Sequence, residues 1–191
     1  VQAQALPPAA ERALARGEAW LEVRSDPDSP GLSGEIRAAE DIAAPPARVF
    51  AVMTDCRLAT VLAPELRSCR ILARAPDGRW DIREHVTRSL FLLPPVTNIF
   101  RTDYDPPHGF RFRRTGGDFR VLEGSWRLIP LDGGRRTRII HESRAALPFG
   151  APRGLARFIL RQQMASALAA LRRECAASPS QRLAMGAPLD D

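Results

Sequence analysis

Two ionisable side chains fall on predicted strands where they could take part in acid–base chemistry or hold a polar group of a ligand. Glu84 is expected to face an apolar interior, where its carboxylate needs a partner or a proton because burying a bare charge is unfavourable. Arg88, on the same strand face, is the expected partner. His141 could bind a ligand, transfer protons near neutral pH, or be a core histidine hydrogen-bonded to a neighbour. Neither residue belongs to a recognisable catalytic motif, so the sequence assigns no catalytic residue.

Short motifs of the common enzyme classes are missing from the sequence. It has no Gly-x-Ser-x-Gly elbow, no P-loop, no Rossmann glycine pattern and no zinc-binding helix motif. We therefore expect no cofactor and favour a binding protein over an enzyme. A cyclase- or dehydratase-like enzyme using His141 or Glu84 stays open, since a shaped cavity and one acid–base group would suffice. An adaptor that binds another protein is the third possibility.

The cysteines are compatible with two states. Cys56 and Cys69 could form a disulfide across a short loop in an oxidising compartment, or could be two small thiols in or near the core, like Cys175. Their spacing, with only His85, His108 and His141 as further ligands, matches no zinc pattern, so we expect no metal site.

The basic residues are unusual in kind but not in arrangement. All 28 are arginine, the net charge is +6, and the arginines are spread along the chain rather than clustered. Nucleic-acid binding needs a concentrated basic surface, so we expect no nucleic-acid partner. A solvated basic surface and peripheral contact with an anionic membrane are the alternatives.

Hydropathy patterns predict the elements that position these residues. Helical spacing is found at residues 7–16, 44–53 and 57–62, and strong helix formers fill residues 151–176. Alternation with period two predicts two early strands, 18–24 and 34–42, and then six more: 66–75, 79–92, 96–105, 109–114, 119–130 and 135–147.

The connections between the last six strands decide the topology. Each is a short turn rich in proline, glycine or aspartate, such as Pro76-Asp77-Gly78 and Asp132-Gly133-Gly134. No crossover helix fits into such turns, so consecutive strands must be antiparallel neighbours. The sequence therefore predicts an α+β fold in which a long C-terminal helix covers an antiparallel meander.

Three phrases carry a family resemblance: residues 42–55 (IAAPPARVFAVMTD), residues 117–128 (GDFRVLEGSWRL) and Thr137-Arg138-Ile139. They resemble the START-like (SRPBCC) superfamily of polyketide cyclase/dehydrase and lipid-transport proteins, including members similar to coenzyme-Q-binding proteins. The resemblance implies a helix-grip fold over residues 18–176. Local composition predicts an N-terminal helix or extension (1–17) and a flexible tail (177–191). The resemblance also implies an internal cavity for a lipid, an isoprenoid quinone or a sterol- or hopanoid-like molecule.

Strand alternation predicts which side chains line that cavity. The candidate ligand-binding residues are Trp80, Ile82, Glu84, Phe100, Tyr104, Phe112, Trp126, His141, Phe149 and Phe158. A slip of one residue in the assignment of any strand would turn its whole set to the other face.

Two apolar connections fall at the same end of the predicted sheet, which is unusual because turns are normally polar. They are expected either to dock on a membrane or to fold over the cavity as a lid, and their candidate residues are Phe91, Leu92, Leu93, Leu147, Phe149 and Arg153.

Location and assembly rest on weaker signals. Ala3-Gln4-Ala5 has the small-x-small form of a signal-peptidase site, which favours an exported, periplasmic protein over a cytoplasmic one. We expect a monomer whose partner is a hydrophobic small molecule.

Overall fold

The computed structural model describes residues 5–25, 33–88, 94–146 and 153–177. Its helices are α1 (Pro8–Ala15), α2 (Pro46–Thr54), α3 (Ala59–Leu62) and α4 (Arg153–Ala176), and a 3-10 turn at Cys56–Leu58 precedes α3. Its strands are β1 (Trp20–Ser25), β2 (Ser33–Ile42), β3 (Leu66–Arg74), β4 (Trp80–Thr87), β5 (Thr97–Asp105), β6 (Gly109–Gly117), β7 (Val121–Leu131) and β8 (Arg136–Ala146). Elements predicted from the sequence are present, with ends that differ by a few residues.

All eight strands form one antiparallel sheet in the order β1-β2-β8-β7-β6-β5-β4-β3. Consecutive strands from β3 to β8 are neighbours, as their short turns predict. The chain leaves the sheet once, after β2, and re-enters it at the opposite edge through α2 and α3. The sheet curves around α4, which confirms the predicted helix-grip arrangement.

Helix α2 begins where Pro45 and Pro46 fix the backbone, since proline at the first turn needs no N–H partner. Its buried face is formed by Val49 and Val52, which pack against Ile42 of β2 and Ile139 of β8. The long helix contributes Leu168 and Leu171 to the same cluster. The packed core therefore lies where the second half of α4 meets β2, β7 and β8.

Polar contacts hold the end of α4 against this core. The Arg48 guanidinium donates to the carbonyls of Glu174 and Ala177, each at 3.2 Å, and so satisfies carbonyls that the helix end leaves unpaired. Arg172 lies 2.6 Å from the buried Glu40 carboxylate of β2. Burial raises the pKa of Glu40, and Arg172 opposes that rise.

A disulfide joins Cys56, in the 3-10 turn, to Cys69 on β3, while Cys175 is a buried thiol in the core. Of the two states that the sequence allowed for this pair, the structure has the bonded one.

Helix α1 packs its buried Leu14 against Ala39 and Ile140 on the convex face of the sheet. None of the described helices combines the length and apolar composition that crossing a bilayer requires.

Candidate functional site

A cavity of about 700 Å³ lies between the concave face of the sheet and α4. This size is within the range of small-molecule sites. Helix α4 contributes Ile159, Leu160, Gln163, Met164, Ala167, Leu168 and Leu171 to its lining. The end of α2 and the segment after it close one side, and β4 to β8 supply most of the rest, together with Ile36 of β2.

In strands β5 to β8, the side chains that alternation predicts to face inward do line the cavity. The lining contains Asn98, Phe100, Thr102 and Tyr104 of β5, Phe110 and Phe112 of β6, Leu122 and Trp126 of β7, and His141, Ser143 and Ala145 of β8. Phe100, Tyr104, Phe112, Trp126 and His141 thus have the predicted orientation. That they bind a ligand stays a prediction.

Strand β4 has the opposite orientation to the one predicted. Arg83, His85 and Thr87 line the cavity, whereas Trp80, Ile82 and Glu84 do not. Glu84 pairs with Arg70 of β3, with 3.0 Å between their charged atoms, instead of with Arg88. The guanidinium carbon of Arg101 lies over the Trp80 ring, 4.6 Å from the centre of that ring, so Trp80 also lies away from the cavity. The reason is that Asp81 and Arg83 pair with each other inside and both bond to Tyr104, so the face of β4 that carries them can turn inward.

An aromatic wall forms the middle of the cavity. The His141 ring lies 4.0 Å from Trp126 and stacks on Phe112 at 6.2 Å, measured between ring centres. Phe100 contacts Phe112 edge-on and has the His85 ring 4.8 Å away. Gly124 makes room for this wall, because a Cβ there would lie 2.7 Å from the tip of Phe112.

At one end of the cavity a charged network is held almost entirely by its own members. The Arg83 Nε donates to both carboxylate oxygens of Asp81 at 3.0 Å, and Arg83 Nη2 donates to the Tyr104 hydroxyl at 2.6 Å and to the Thr54 carbonyl. The Tyr104 hydroxyl donates to Asp81 at 2.7 Å. Burial, above all, raises the pKa of Tyr104, so the phenol stays protonated. Asp81 and Arg83 are 1% and 7% exposed, so the pair brings two opposite charges into the interior without net charge.

Both cavity histidines are neutral at physiological pH. Burial lowers the pKa of His141 to about 3, although the backbone of Ser125 opposes the shift. Burial lowers the pKa of His85 to about 4, and the nearby Arg83 cation adds to that effect. His141 Nε2 is 2.9 Å from the Ser143 hydroxyl, and such a contact with a neighbour is what the sequence allowed for a core histidine.

Polar atoms around the cavity differ in whether a ligand can reach them. Within the described ranges His85 Nε2 and Asn98 Oδ1 have no hydrogen-bond partner, but both are too enclosed for contact. Arg83 lines the cavity, and among the described residues its Nη1 makes no hydrogen bond. Arg83 is therefore a charged side chain in the lining with a donor available to a bound molecule.

One rim of the cavity is formed by α3 and residues 63–65, with Arg88 beside it, since the Arg88 amide donates to the Glu65 carbonyl. Burial raises the pKa of the Glu65 carboxyl in this rim. Near it, Val61, Leu155 and Phe158 are 45%, 49% and 61% exposed. Phe158 was predicted to contact ligand, but it points to the outside, because the inward stripe of α4 passes through Ile159 instead.

Several predicted residues lie outside the described part of the chain: Phe91, Leu92, Leu93, Leu147 and Phe149. The same holds for the side chain of Arg153. In the described ranges no group of three or more His, Cys, Asp or Glu side chains could hold a metal ion.

Sequence reasoning missed Asp81, Arg83 and His85. Their charged side chains are typical of a solvent-facing strand pattern, and the alternation therefore predicts the outer face for them. The signal that could have found them is pairing across strands, since partners share a face. Arg83 pairs with Phe100 and His85 with Asn98, both of which were correctly placed inside.

Residues 42–172 match the family described as polyketide cyclase/dehydrase and lipid transport. No curated protein matches the sequence. Among solved structures, a protein from Thermus thermophilus is 25% identical, with 80% of this chain and 99% of that chain covered and a TM-score of 0.62.

Two further structures carry descriptive names. A STAR-related lipid transfer protein from Xanthomonas axonopodis is 17% identical, with 83% and 94% of the two chains covered and a TM-score of 0.68. The Zhui aromatase/cyclase from a Streptomyces species is also 17% identical, with 81% and 98% covered and a TM-score of 0.59. These likenesses show that the fold is the START-like one that the sequence predicts.

Proposed function

Because the chain belongs to the polyketide cyclase/dehydrase and lipid transport family, we propose that it binds a hydrophobic small molecule in its cavity and carries or transfers it at a membrane surface. The observation that carries the proposal is the cavity itself: about 700 Å³ enclosed mainly by aromatic and aliphatic side chains. Cavities of this composition gain affinity from the apolar surface of a ligand and orientation from a few polar groups. A lipid, an isoprenoid quinone or a sterol- or hopanoid-like molecule has the required chemistry.

The polar anchor in this proposal is Arg83. Its Nη1 is available, and the rest of its guanidinium is fixed by Asp81, Tyr104 and Thr54. A donor held in place in this way loses little entropy when a ligand oxygen binds to it. Since Asp81 already balances its charge, a neutral carbonyl or hydroxyl suits the site better than a second carboxylate.

A cyclase- or dehydratase-like enzyme is supported less well. His141, with a pKa of about 3, is a weak base at neutral pH, and Glu84 lies outside the cavity. General acid–base catalysis works best when the pKa of the group lies near the working pH. The protein-binding adaptor has no specific observation in its favour.

Membrane contact and an oxidising location complete the proposal. Val61, Leu155 and Phe158 expose apolar surface beside the rim, with Arg157 exposed next to them, which suits an anionic lipid surface. The Cys56–Cys69 disulfide is typical of exported proteins and supports a periplasmic location over the cytoplasmic alternative. We propose that the protein acts there as a monomer.

Filling the cavity tests the binding function. Ala167 of α4 lines the cavity, so Ala167→Trp should occupy it, while Ser166→Trp places the same ring on the exposed side of the helix. Native mass spectrometry after purification, and after mixing with lipids and quinones, should show a bound molecule in the parent protein and in Ser166→Trp but not in Ala167→Trp. A parent protein that stays empty with all of these compounds contradicts the function. Equal ligand binding by Ala167→Trp and the parent protein would contradict the proposed location of the ligand in the cavity.

The anchor is tested separately with two arginine variants. Arg83→Met should weaken the binding of an oxygen-bearing ligand by about tenfold, the usual scale of one charge-assisted hydrogen bond. Arg101→Met removes an arginine from the outer face and should leave the Kd unchanged.

A further inference from the structure

One wall of the cavity lies entirely inside the loop that the disulfide closes. Cys56 and Cys69 are 13 residues apart in sequence. Between them are Ala59, Leu62, Ala63, Pro64, Glu65 and Leu66, all of which line the cavity. In the part of the chain that the structure describes, no other element contributes so many consecutive positions to the lining. The position of this loop therefore decides how wide the cavity opens at that side.

Besides the disulfide, packing of Leu58 and Leu62 against the core holds this wall in place, whereas few hydrogen bonds join it to the sheet. Helix α3 has only four residues, too few for a helix to be stable by itself. Within residues 57–68 only Ala59 and Leu66 are buried, and Val61 is 45% exposed. Backbone hydrogen bonds inside the wall run from Ala63 to Ala59 and from Leu66 to Ala63, so they do not join it to the sheet. The bond from the Arg88 amide to the Glu65 carbonyl, 2.7 Å, does join it to β4.

The two ends of the disulfide have different supports. Cys56 follows the anchored end of α2, where the Thr54 carbonyl accepts from the buried Arg83. Cys69 lies on β3, which is an edge strand and pairs only with β4. The disulfide therefore links the edge strand β3, and the rim segment that precedes it, to the end of α2, which Arg83 holds in place. Both cysteines are half-buried, so an external thiol can reach them, unlike the buried Cys175.

We propose that the Cys56–Cys69 disulfide is a redox-dependent clamp on the cavity: the oxidised protein retains its ligand, and reduction frees the α3 wall and speeds release. The inference rests on the proposed function, since it concerns the same cavity. A dithiol supplies the electrons. The Cys56–Cys69 S–S bond breaks, each sulfur gains one electron and one proton, and the dithiol is oxidised to its own disulfide. Loosening is local, because the packed core of Ile139, Val49 and Leu168 lies outside the closed loop.

The experiment uses the full chain loaded with N-phenyl-1-naphthylamine, a neutral apolar fluorophore, and follows its release into an excess of empty lipid vesicles. Dithiothreitol, a dithiol, should accelerate release about tenfold or more, as expected when a locally unfolding segment forms the barrier. Cys56→Ser/Cys69→Ser should release fast with or without dithiothreitol. Cys175→Ser should behave like the parent protein. Hydrogen exchange should rise in residues 59–66 on reduction and stay protected in residues 137–143.

The other possible results distinguish failure of the clamp from failure of the binding function. Equal release rates from oxidised and reduced protein would keep the binding function and overturn the clamp. Loss of protection in residues 137–143 as well would also overturn it, because the disulfide would then hold the whole fold rather than one wall. An oxidised protein that takes up neither the fluorophore nor any lipid would overturn the binding function, and the clamp with it.

Discussion

The interior under α4 has a packed half and a hollow half. In the packed half, around Ile139, Val49 and Ile42, side chains fill the space and are almost fully buried. In the hollow half, around Arg83, Phe100 and Phe112, side chains of similar or larger size surround a cavity of about 700 Å³. One sheet and one helix form both halves, so secondary structure alone does not decide whether an interior is full.

What differs is how the helix is held. In the packed half, Ala38 beneath α4 is small, and the Glu40–Arg172 pair draws the helix toward β2. In the hollow half, Arg83 and Tyr104 bond to Asp81 on their own side of the cavity. Because these groups need nothing from α4, the helix is not drawn inward. A cavity is thus kept open by polar side chains that satisfy one another along the strands.

The largest expected effect comes from breaking that polar network. Asp81→Asn leaves the buried Arg83 without its counter-charge and should lower the free energy of unfolding by about 3–5 kcal/mol. Urea denaturation measures it. Asp103→Asn, which removes a half-exposed carboxylate that pairs with Arg101, should cost less than about 1 kcal/mol. Similar losses in both variants would show that the hollow half does not depend on the network.

Matched isoleucine truncations compare the two halves directly. Ile139 is fully buried, and Ile139→Ala should cost about 3–4 kcal/mol, because it adds a new void to the loss of apolar burial. Ile159 already borders the cavity, so Ile159→Ala should cost about 1 kcal/mol, the loss of partial burial alone. Thermal and urea unfolding measure the loss of stability in both variants. Equal losses would contradict the division of the interior into a packed and a hollow half.

Acidification should lower the free energy of unfolding, because two histidines of the hollow half are buried in the neutral form. His85 and His141 have folded-state pKa values of about 4 and about 3, below the usual 6.5 or so of an unfolded chain. At a pH above about 6.5, both histidines are neutral in the folded and in the unfolded chain, so they do not oppose folding. As the pH falls from about 6.5 toward 4, each histidine should lower stability by about 1.4 kcal/mol per pH unit.

Two histidine variants check this origin of the pH dependence. His141→Phe keeps the ring packing and should reduce the slope of unfolding free energy against pH, whereas His108→Gln on an exposed turn should leave it unchanged. A slope that persists in full in His141→Phe would assign the effect to other groups.

The smallest effect is expected on the convex face. Glu84→Gln removes the partner of Arg70, whose side chain is 67% exposed, and should cost less than about 1 kcal/mol. Arg70→Gln should change stability as little. A loss of several kcal/mol in urea denaturation would indicate that Glu84 faces the interior, as the sequence predicted.

The sequence predicted the fold well because its signals are local and repeated. Alternation through Phe110 and Phe112, and turns such as Asp132-Gly133-Gly134, determine strands and antiparallel order without knowledge of distant contacts. The site was harder. Asp81 and Arg83 read as an outer face, since alternation cannot tell whether two opposite charges neutralise each other inside. The outward turn of Phe158 likewise depends on how α4 is rotated, which its contacts with β1 and α2 determine.

The edge strand β3 has a consequence for behaviour at high concentration. Its register against β4 is irregular at two points, between Leu66 and Ser68 and between Ile71 and Ala73, and Arg67, Arg70 and Arg74 are exposed along it. Irregular pairing and positive charge both oppose the addition of a further strand from another molecule. These features therefore protect the β3 edge against edge-to-edge aggregation, and removing the arginines would create an aggregation-prone surface there.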